Sequence, residues 1–369
     1  MKATLKDKSL TALKDVKLSV FALAFALGIG AIVMWVSGYS PAETYKAIFV
    51  GTLTTQKGIV LALSQATPLM FSGLAFAIAY KVKMINTGAE GQLHIGAMAS
   101  VLVGIYVTGL PMALHIPLAL LVGALAGGLI GLFVTFLKVR FGASEIVTTI
   151  MLNEVLILFT SYLCNGPFLA KDAAIPQTEL VEKTARLPKL VARSQLTIAI
   201  FIAIGIALLL YILFKKTALG YEMQVTGSNT KSASTAGISV NRVYYITFFI
   251  SSAVAALCGS ALALGVNGRF LEGFSNKYGF AGISVAALAA YNPLAVILSA
   301  ILFGVLKAGA MTLNTSASVP VEFVDVIQAL VVVFVAAPRL IDAILSRFGK
   351  APLFKKKAST NNPTQSNQA

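Results

Sequence analysis

Long apolar runs separated by short polar stretches recur along the chain. Ten are candidate membrane spans: residues 18–36, 67–80 (with a start as early as Gly58), 92–107, 116–137, 144–164, 196–214, 243–264, 279–291, 294–313 and 321–337. A helix needs roughly 20 predominantly apolar residues to cross the hydrocarbon core. The eighth run is too short to cross alone at about 1.5 Å per residue, so it reads as part of a broken helix ended by Asn292-Pro293. Pro68 and Gly73 predict a kink in the second span, or a start inside the membrane. Gly123, Gly127, Gly128 and Gly131 predict that the fourth span approaches its neighbours closely. Between the first two spans, residues 40–65 are of mixed character and hold a short helix, outside or partly re-entrant. The first apolar run is longer than the roughly 7–15 residues of a signal-peptide core, and no Ala-x-Ala site follows it. It is read as a retained span, with Trp35 and Tyr39 as aromatic anchors at its far end.

One stretch interrupts this pattern in an unusual way. Residues 84–97 run Met-Ile-Asn-Thr-Gly-Ala-Glu-Gly-Gln-Leu-His-Ile-Gly-Ala, placing Asn86, Glu90, Gln92 and three glycines between two apolar runs at the expected membrane boundary. Irregular backbone at membrane depth is tolerated only where protein buries it or where it lines a watery cavity. A carboxylate there is expensive and marks a functional candidate. The competing reading is a tight turn, with Gly88 and Gly91 relieving strain and Glu90 in cytosolic water.

Composition agrees with the pattern: 57% of residues are hydrophobic and 12% charged, about half the charged fraction of a soluble domain. The fold class expected is an all-α polytopic membrane protein of about ten transmembrane helices. Residues 1–17 form a cytoplasmic amino-terminal segment, 18–337 the membrane domain, and 338–369 a largely disordered, cytoplasmic, Ser/Thr/Asn/Gln-rich tail. The net charge is +15. With ten spans, nineteen Lys and Arg fall on the side of the termini and nine on the other, five of those nine in the 165–195 loop. This bias places both termini in the cytoplasm and the 165–195 loop outside. It also accounts for the excess charge through anionic lipid headgroups rather than nucleic acid. Cys164 and Cys258 lie in apolar surroundings, His94 and His115 stand alone, and no metal-ligand spacing occurs.

A faint internal repeat is visible. Gly88-x-x-Gly91 opens the third span and Gly279-x-x-Gly282 the eighth, each followed by small apolar residues. One span starts inside and the other outside, the inverted arrangement of many transporters. Glu90, Glu145, Glu154 and Lys307 need partners or water; Lys307 can pair with Glu154, pair with Glu90, or snorkel. No phosphate-binding loop and no catalytic constellation occurs, so any ATP used is hydrolysed by another chain. The 215–242 loop is rich in small residues and can form one or two short helices ending at Gly227 and Gly237. Such a helix can dock in a partner's groove, or the stretch is an ordinary connection.

Four motifs in order resemble one family: Asn86-Thr-Gly-Ala-Glu-Gly-Gln92, Thr149-Ile-Met-Leu-Asn153, Gly227-Ser-Asn229 with Ala236-Gly-Ile238, and Tyr278-Gly-Phe-Ala-Gly-Ile-Ser-Val285. The family is that of bacterial ABC-importer permeases for simple sugars, branched-chain amino acids and nucleosides. Residues 67–77 and 86–92 look most like its nucleoside, guanosine-type branch. The chain departs from the family at Thr87, where Ile or Leu is usual, and at Ala281, where Asp is frequent. The resemblance implies a type II ABC importer permease fold and a bacterial cell-membrane location. It implies three partners: a second, similar permease, an ABC ATPase subunit and an extracellular substrate-binding lipoprotein. It also implies that Gly227, Ser228, Asn229, Ala236, Gly237 and Ile238 couple to the ATPase, with no cofactor or metal held by this chain. Substrate would move by alternating access. Asn86, Glu90, Gln92 and Asn153 are candidate polar contacts along its pathway, and Tyr278 or Phe280 candidate stacking rings. Monosaccharides or branched-chain amino acids are the alternative cargo. A secondary transporter is the alternative class, and a membrane-embedded enzyme a distant third.

Overall fold

The computed structural model describes residues 23–171 and 174–317, with positions 325, 326, 329, 330 and 333 beyond. The expected 1–17 segment, almost all of the tenth span and the 338–369 tail lie outside the described residues. Within them the chain is helical, with only isolated β-bridges. The helices are α1 (Leu23–Val36), α2 (Pro41–Lys46), α3 (Gln56–Lys81), α4 (Ala89–Tyr106), α5 (Met112–Phe141), α6 (Glu145–Asn165), α7 (Ala199–Lys216), α8 (Ala218–Ser228), α9 (Thr230–Thr235), α10 (Val240–Ala261), α11 (Tyr278–Leu288) and α12 (Pro293–Ala317). Six of these, α3, α5, α6, α7, α10 and α12, are long and apolar enough to cross a membrane, and α1 and α11 are shorter apolar helices.

α3 takes the earlier of the two starts open to the second span. It begins at Gln56, close to Gly58 and not near Thr67, because the Thr55 side chain caps it by accepting from the Gly58 N–H at 3.1 Å. Pro68 sits inside the helix without ending it. The short helix expected in 40–65 is α2, continued by a π-helical turn at Ala47–Gly51.

The centre of the bundle is α3, α4 and α10, closed by α5 on one side and α11 and α12 on the other. Small residues set these contacts. A Cβ on Gly259 of α10 would lie 1.9 Å from the Leu93 carbonyl of α4, and one on Gly127 of α5 2.4 Å from Ala256 of α10. The expected close approach of α5 is therefore made on α10. At one end of the bundle, the turn from α5 to α6 is closed by Gly142 at φ 68°, which binds back to Lys138, and by the Lys138–Glu145 ion pair at 2.6 Å. Lys81, Lys83, Arg140, Lys215 and Lys216 gather at the same, basic end.

The 174–198 segment is not a loose loop. It runs along residues 264–272 at the other end, with the Thr178, Val181 and Leu187 N–H groups donating to the carbonyls of Phe270, Gly268 and Leu264 at 3.0, 3.0 and 3.2 Å.

The packing argument predicts a sharp contrast. Gly259→Leu should lower the thermal stability of the detergent-purified protein by several degrees or abolish its recovery. Gly205→Leu on α7, where no atom lies within 4 Å of the new Cβ, should leave it unchanged; equal effects from both would refute this account of the core.

Candidate functional site

Hydrogen bonds give the relative levels of the helices. On α10, Ser251 donates to the Ala75 carbonyl of α3 at 2.7 Å and Cys258 to the Pro68 carbonyl at 3.3 Å, so α10 runs antiparallel to α3. Asn86 in turn donates to Ser251 at 2.9 Å. It therefore lies level with Ala75, about 9 Å of helix rise before α3 ends at Lys81. Residues 82–88 thus turn back into the bundle, and α4 starts near its middle. The break was expected at the boundary; it lies within. The tight-turn reading of Glu90 in water fails, because Glu90 is 3% exposed.

α11 makes the mirror-image start. Tyr278 bonds Gln65 of α3, Gly282 abuts Ser72, and Tyr291 stacks on Tyr80 at 3.6 Å. The short helix thus runs alongside the second half of α3 towards the basic end, as the broken-helix expectation requires. Its amino terminus meets that of α4 at Glu90. The Glu90 carboxylate accepts from the Ser275 hydroxyl and, at 2.8 Å, from the Gly279 N–H, with the Phe280 N–H also facing it. A Cβ on Gly279 would lie 2.5 Å from the Glu90 nitrogen, so only glycine permits the contact. A carboxylate at helix amino termini is favoured by the unpaired N–H groups and the macrodipole.

The other expected residues surround this junction. Asn86 and Gln92 exchange two side-chain hydrogen bonds at 2.9 and 3.1 Å, and Asn86 also caps the turn at Gly88 N–H. Asn153 of α6 accepts from the Gly91 N–H and donates to the Thr87 carbonyl, both at 2.8 Å. Asn86 and Asn153 thus satisfy backbone groups that hydrocarbon would not, and Gln92 holds the Asn86 amide in place. Tyr278 is buried, with Lys307 of α12 over its ring at 4.6 Å. Phe280 is 41% exposed, the one member of the set open to its surroundings.

Lys307 is buried and makes no contact inside 4 Å with any described carboxylate. The Glu154–Lys307 pairing does not form: Glu154 points outward from α6, which does not pack on α12. Sequence reasoning missed Gln65, Ser251, Ser275 and the His94–Phe270–Phe274 aromatic cluster. In that cluster, ring centroids lie 5.1 to 6.1 Å apart and His94 Nδ1 is buried without a hydrogen-bond partner. Ser251 and Ser275 were detectable only as polar residues beside apolar runs.

At the basic end, the 215–242 loop, for which one or two short helices or an ordinary connection were expected, folds into two short helices. α8 ends at Ser228, one residue past Gly227, which packs so tightly on the end of α3 that a Cβ would meet the Lys81 carbonyl at 2.0 Å. Asn229 caps α9 by accepting from the Lys231 and Ser232 N–H groups, and Gly237 at φ 79° ends it. Ser228, Asn229, Ala236 and Gly237 are exposed and Ile238 is partly so. A pocket of about 380 Å³ lies behind this surface, lined by Lys83, Lys138, Glu145, Gly227, Asn229 and Tyr244.

Residues 58–336 match the family described as branched-chain amino acid transport system / permease component. The nucleoside ABC transporter permease protein NupB of Lactococcus lactis is 31% identical, over 90% of this chain and 94% of its own. The guanosine ABC transporter permease protein NupP of Bacillus subtilis is 33% identical, over 90% of this chain and 96% of its own. A glucose ABC transporter permease protein of Haloferax volcanii is 32% identical over 85% of each chain. No solved structure matches. With its bundle of apolar helices, the chain belongs to the branched-chain amino acid transport system / permease component family and is a multi-pass membrane permease of an ABC transporter.

Proposed function

We propose that this permease imports nucleosides by alternating access. One observation carries the mechanism: α4 and α11 meet amino terminus to amino terminus inside the bundle, around a buried carboxylate and a re-entrant polar segment. Discontinuous helices of this kind are how transporters place polar groups at the membrane midplane. The opposed courses of α4 and α11 favour the inverted repeat, and the full count of ten spans follows with 321–337 as the last.

In this reading the basic end is cytoplasmic, together with both termini, and the 165–195 segment lies outside. Asn86, Gln92 and Asn153 hold the pathway wall in shape, Glu90 and Tyr278 fix the start of α11, and Phe280 offers its ring to the base. A partner ABC ATPase docks on Gly227–Asn229 and Ala236–Ile238, uses the ATP, and moves α3 through the Gly227 contact. A substrate-binding lipoprotein delivers cargo. A second, homologous permease completes the transporter; Lactococcus lactis and Bacillus subtilis each have a second nucleoside or guanosine ABC permease that is 24% or 25% identical to this chain. The chain binds no cofactor of its own. Nucleosides are favoured because two of the three similar proteins named above carry that cargo in their names. Glucose is the second reading, from the third.

Uptake of labelled guanosine and uridine, with and without the gene, tests the cargo. Loss on deletion, competed by nucleosides and not by glucose or leucine, is expected; lost glucose uptake with intact nucleoside uptake would overturn it. Asn86→Ala and Asn153→Ala should each lower nucleoside uptake at least about tenfold, since each leaves buried backbone groups unpaired at about 1–3 kcal/mol. Normal transport by both would remove their assigned role. Ala236→Arg, on the exposed coupling surface, should abolish uptake while leaving the amount of permease in the membrane unchanged; undiminished uptake would move the ATPase contact elsewhere.

A further inference from the structure

Glu154 is the residue that neither the bundle nor the pairing scheme accounts for. It lies near the middle of α6, adjacent to Asn153, whose side chain bonds Gly91 and Thr87 where α4 and α11 meet. Its depth is therefore that of the helix junction. Its side chain is exposed and makes no hydrogen bond or ion pair with any described residue. Around it the surface of α6 is apolar, with Met151, Val155 and Leu158 exposed. A carboxylate at the centre of an apolar helix is expensive in hydrocarbon, and such groups face protein or water. Lys and Arg near helix ends can snorkel to the interface; a short glutamate at mid-helix cannot.

Two further observations concern the surroundings of the junction and of α6. Phe280 and Glu154 flank the Glu90–Gly91 segment, each one residue from a group bonded to it, and both are exposed. Two turns further along α6, Ser161 and Asn165 both donate to Glu272, an exposed carboxylate in the loop before α11. Those two hydrogen bonds hold the Glu272 carboxyl below the usual carboxylate range. Glu154, Ser161 and Asn165 thus share one face of α6 at helical spacing, with the apolar Leu158 between the first two. α7 differs: up to Lys215 its exposed residues, Phe201, Leu208, Leu209 and Ile212, are all apolar. α6 is also the least buried of the six long apolar helices.

We propose that the Glu154 face of α6 lines a water-filled path closed on its other side by the second permease, and that the Glu154 carboxylate accepts hydrogen bonds there from the permeant's N–H and O–H groups. The proposal rests on the importer reading above and adds the face and the group. A carboxylate has only acceptors to offer when ionised, so it suits a neutral, donor-rich solute such as a guanine or cytosine nucleoside.

The test uses cells carrying the complete transporter with Glu154→Cys, and Met151→Cys and Leu158→Cys as uncharged neighbours in case the first is poorly inserted. The probe is a positively charged, membrane-impermeant methanethiosulfonate. Leu209→Cys on α7 is the lipid-facing reference, and the native Cys164 and Cys258 are buried. Labelling at 154, or at 151 or 158, but not at 209, with uptake blocked by the reagent, is expected. Labelling of these positions only by a lipid-soluble maleimide, or by neither reagent, would overturn the proposal. Glu154→Leu should cut nucleoside uptake at least tenfold at equal membrane abundance, with Glu154→Gln intermediate. A lipid-facing Glu154 predicts the reverse, with leucine harmless. Labelling does not depend on cargo: a labelled path in a transporter that imports no nucleoside would count against the nucleoside reading alone, and an unlabelled face in a nucleoside importer against the path alone.

Discussion

The Glu90 carboxylate, carried on the first turn of α4, pairs N–H groups with which α11 would otherwise begin unpaired inside an apolar bundle. Burying a carboxylate without partners is prohibitive. Burying helix amino termini without acceptors costs the same kind of energy. Here each deficit meets the other: Gly279 N–H and the Ser275 hydroxyl take the carboxylate, and the carboxylate takes the start of α11. The geometry is demanding, because Gly279 must come within van der Waals contact of the α4 backbone. Once it is met, the short length of α11, the re-entrant course of 82–88 and the burial of Asn86 and Gln92 follow.

The remainder of the bundle makes that junction rigid on one side and leaves it accessible on the other. α3, α4, α5 and α10 approach through glycine, alanine and serine, so their backbones are close and their registers defined. Ser251 bridges Asn86 to the α3 backbone, extending the polar network into the tight core. α6 is held differently, chiefly by Asn153 and by the Lys138–Glu145 pair at its start. A firmly packed half and a lightly held helix on opposite sides of one polar junction are what a moving permease requires. The surface proposed to meet the ATPase sits at the end of the firm half, where Gly227 presses on α3. In that proposal, motion imposed on α8 and α9 has a direct mechanical route into the helix that carries Gln65 and Ser72.

Much of this was legible beforehand. The apolar runs matched helices α1, α3 to α7 and α10 to α12 to within a few residues at most ends, because burial in hydrocarbon leaves so little freedom in composition. The glycines of α5 announced close packing, and the 215–242 loop announced one or two short helices through Gly227 and Gly237. Two starts were open for α3, and the structure takes the earlier one, because the cap is Thr55 and the polar Ser64, Gln65 and Thr67 lie inside the helix. The boundary position of Asn86 was misjudged. Nothing local tells a turn at the membrane edge from chain that re-enters; the difference lies in Ser251, 165 residues away. Lys307 likewise had two plausible carboxylates in the sequence, and only the packing of α12 beside α11 separates them.

By itself, then, the sequence determined the class of molecule, the positions of its helices, the basic end and the identity of the polar residues that had to be accounted for. These are properties of composition and local pattern, and the low dielectric of the membrane enforces them residue by residue. The tertiary structure alone decided which helices start inside the bundle, which carboxylate caps which amino terminus, and which polar residue is left facing outward. Those outcomes depend on contacts between segments far apart in the chain. Glu90 and Glu154 are the same residue type on similar helices; one is buried against Gly279 and the other is exposed, and only the packing of α4, α6 and α11 makes them different.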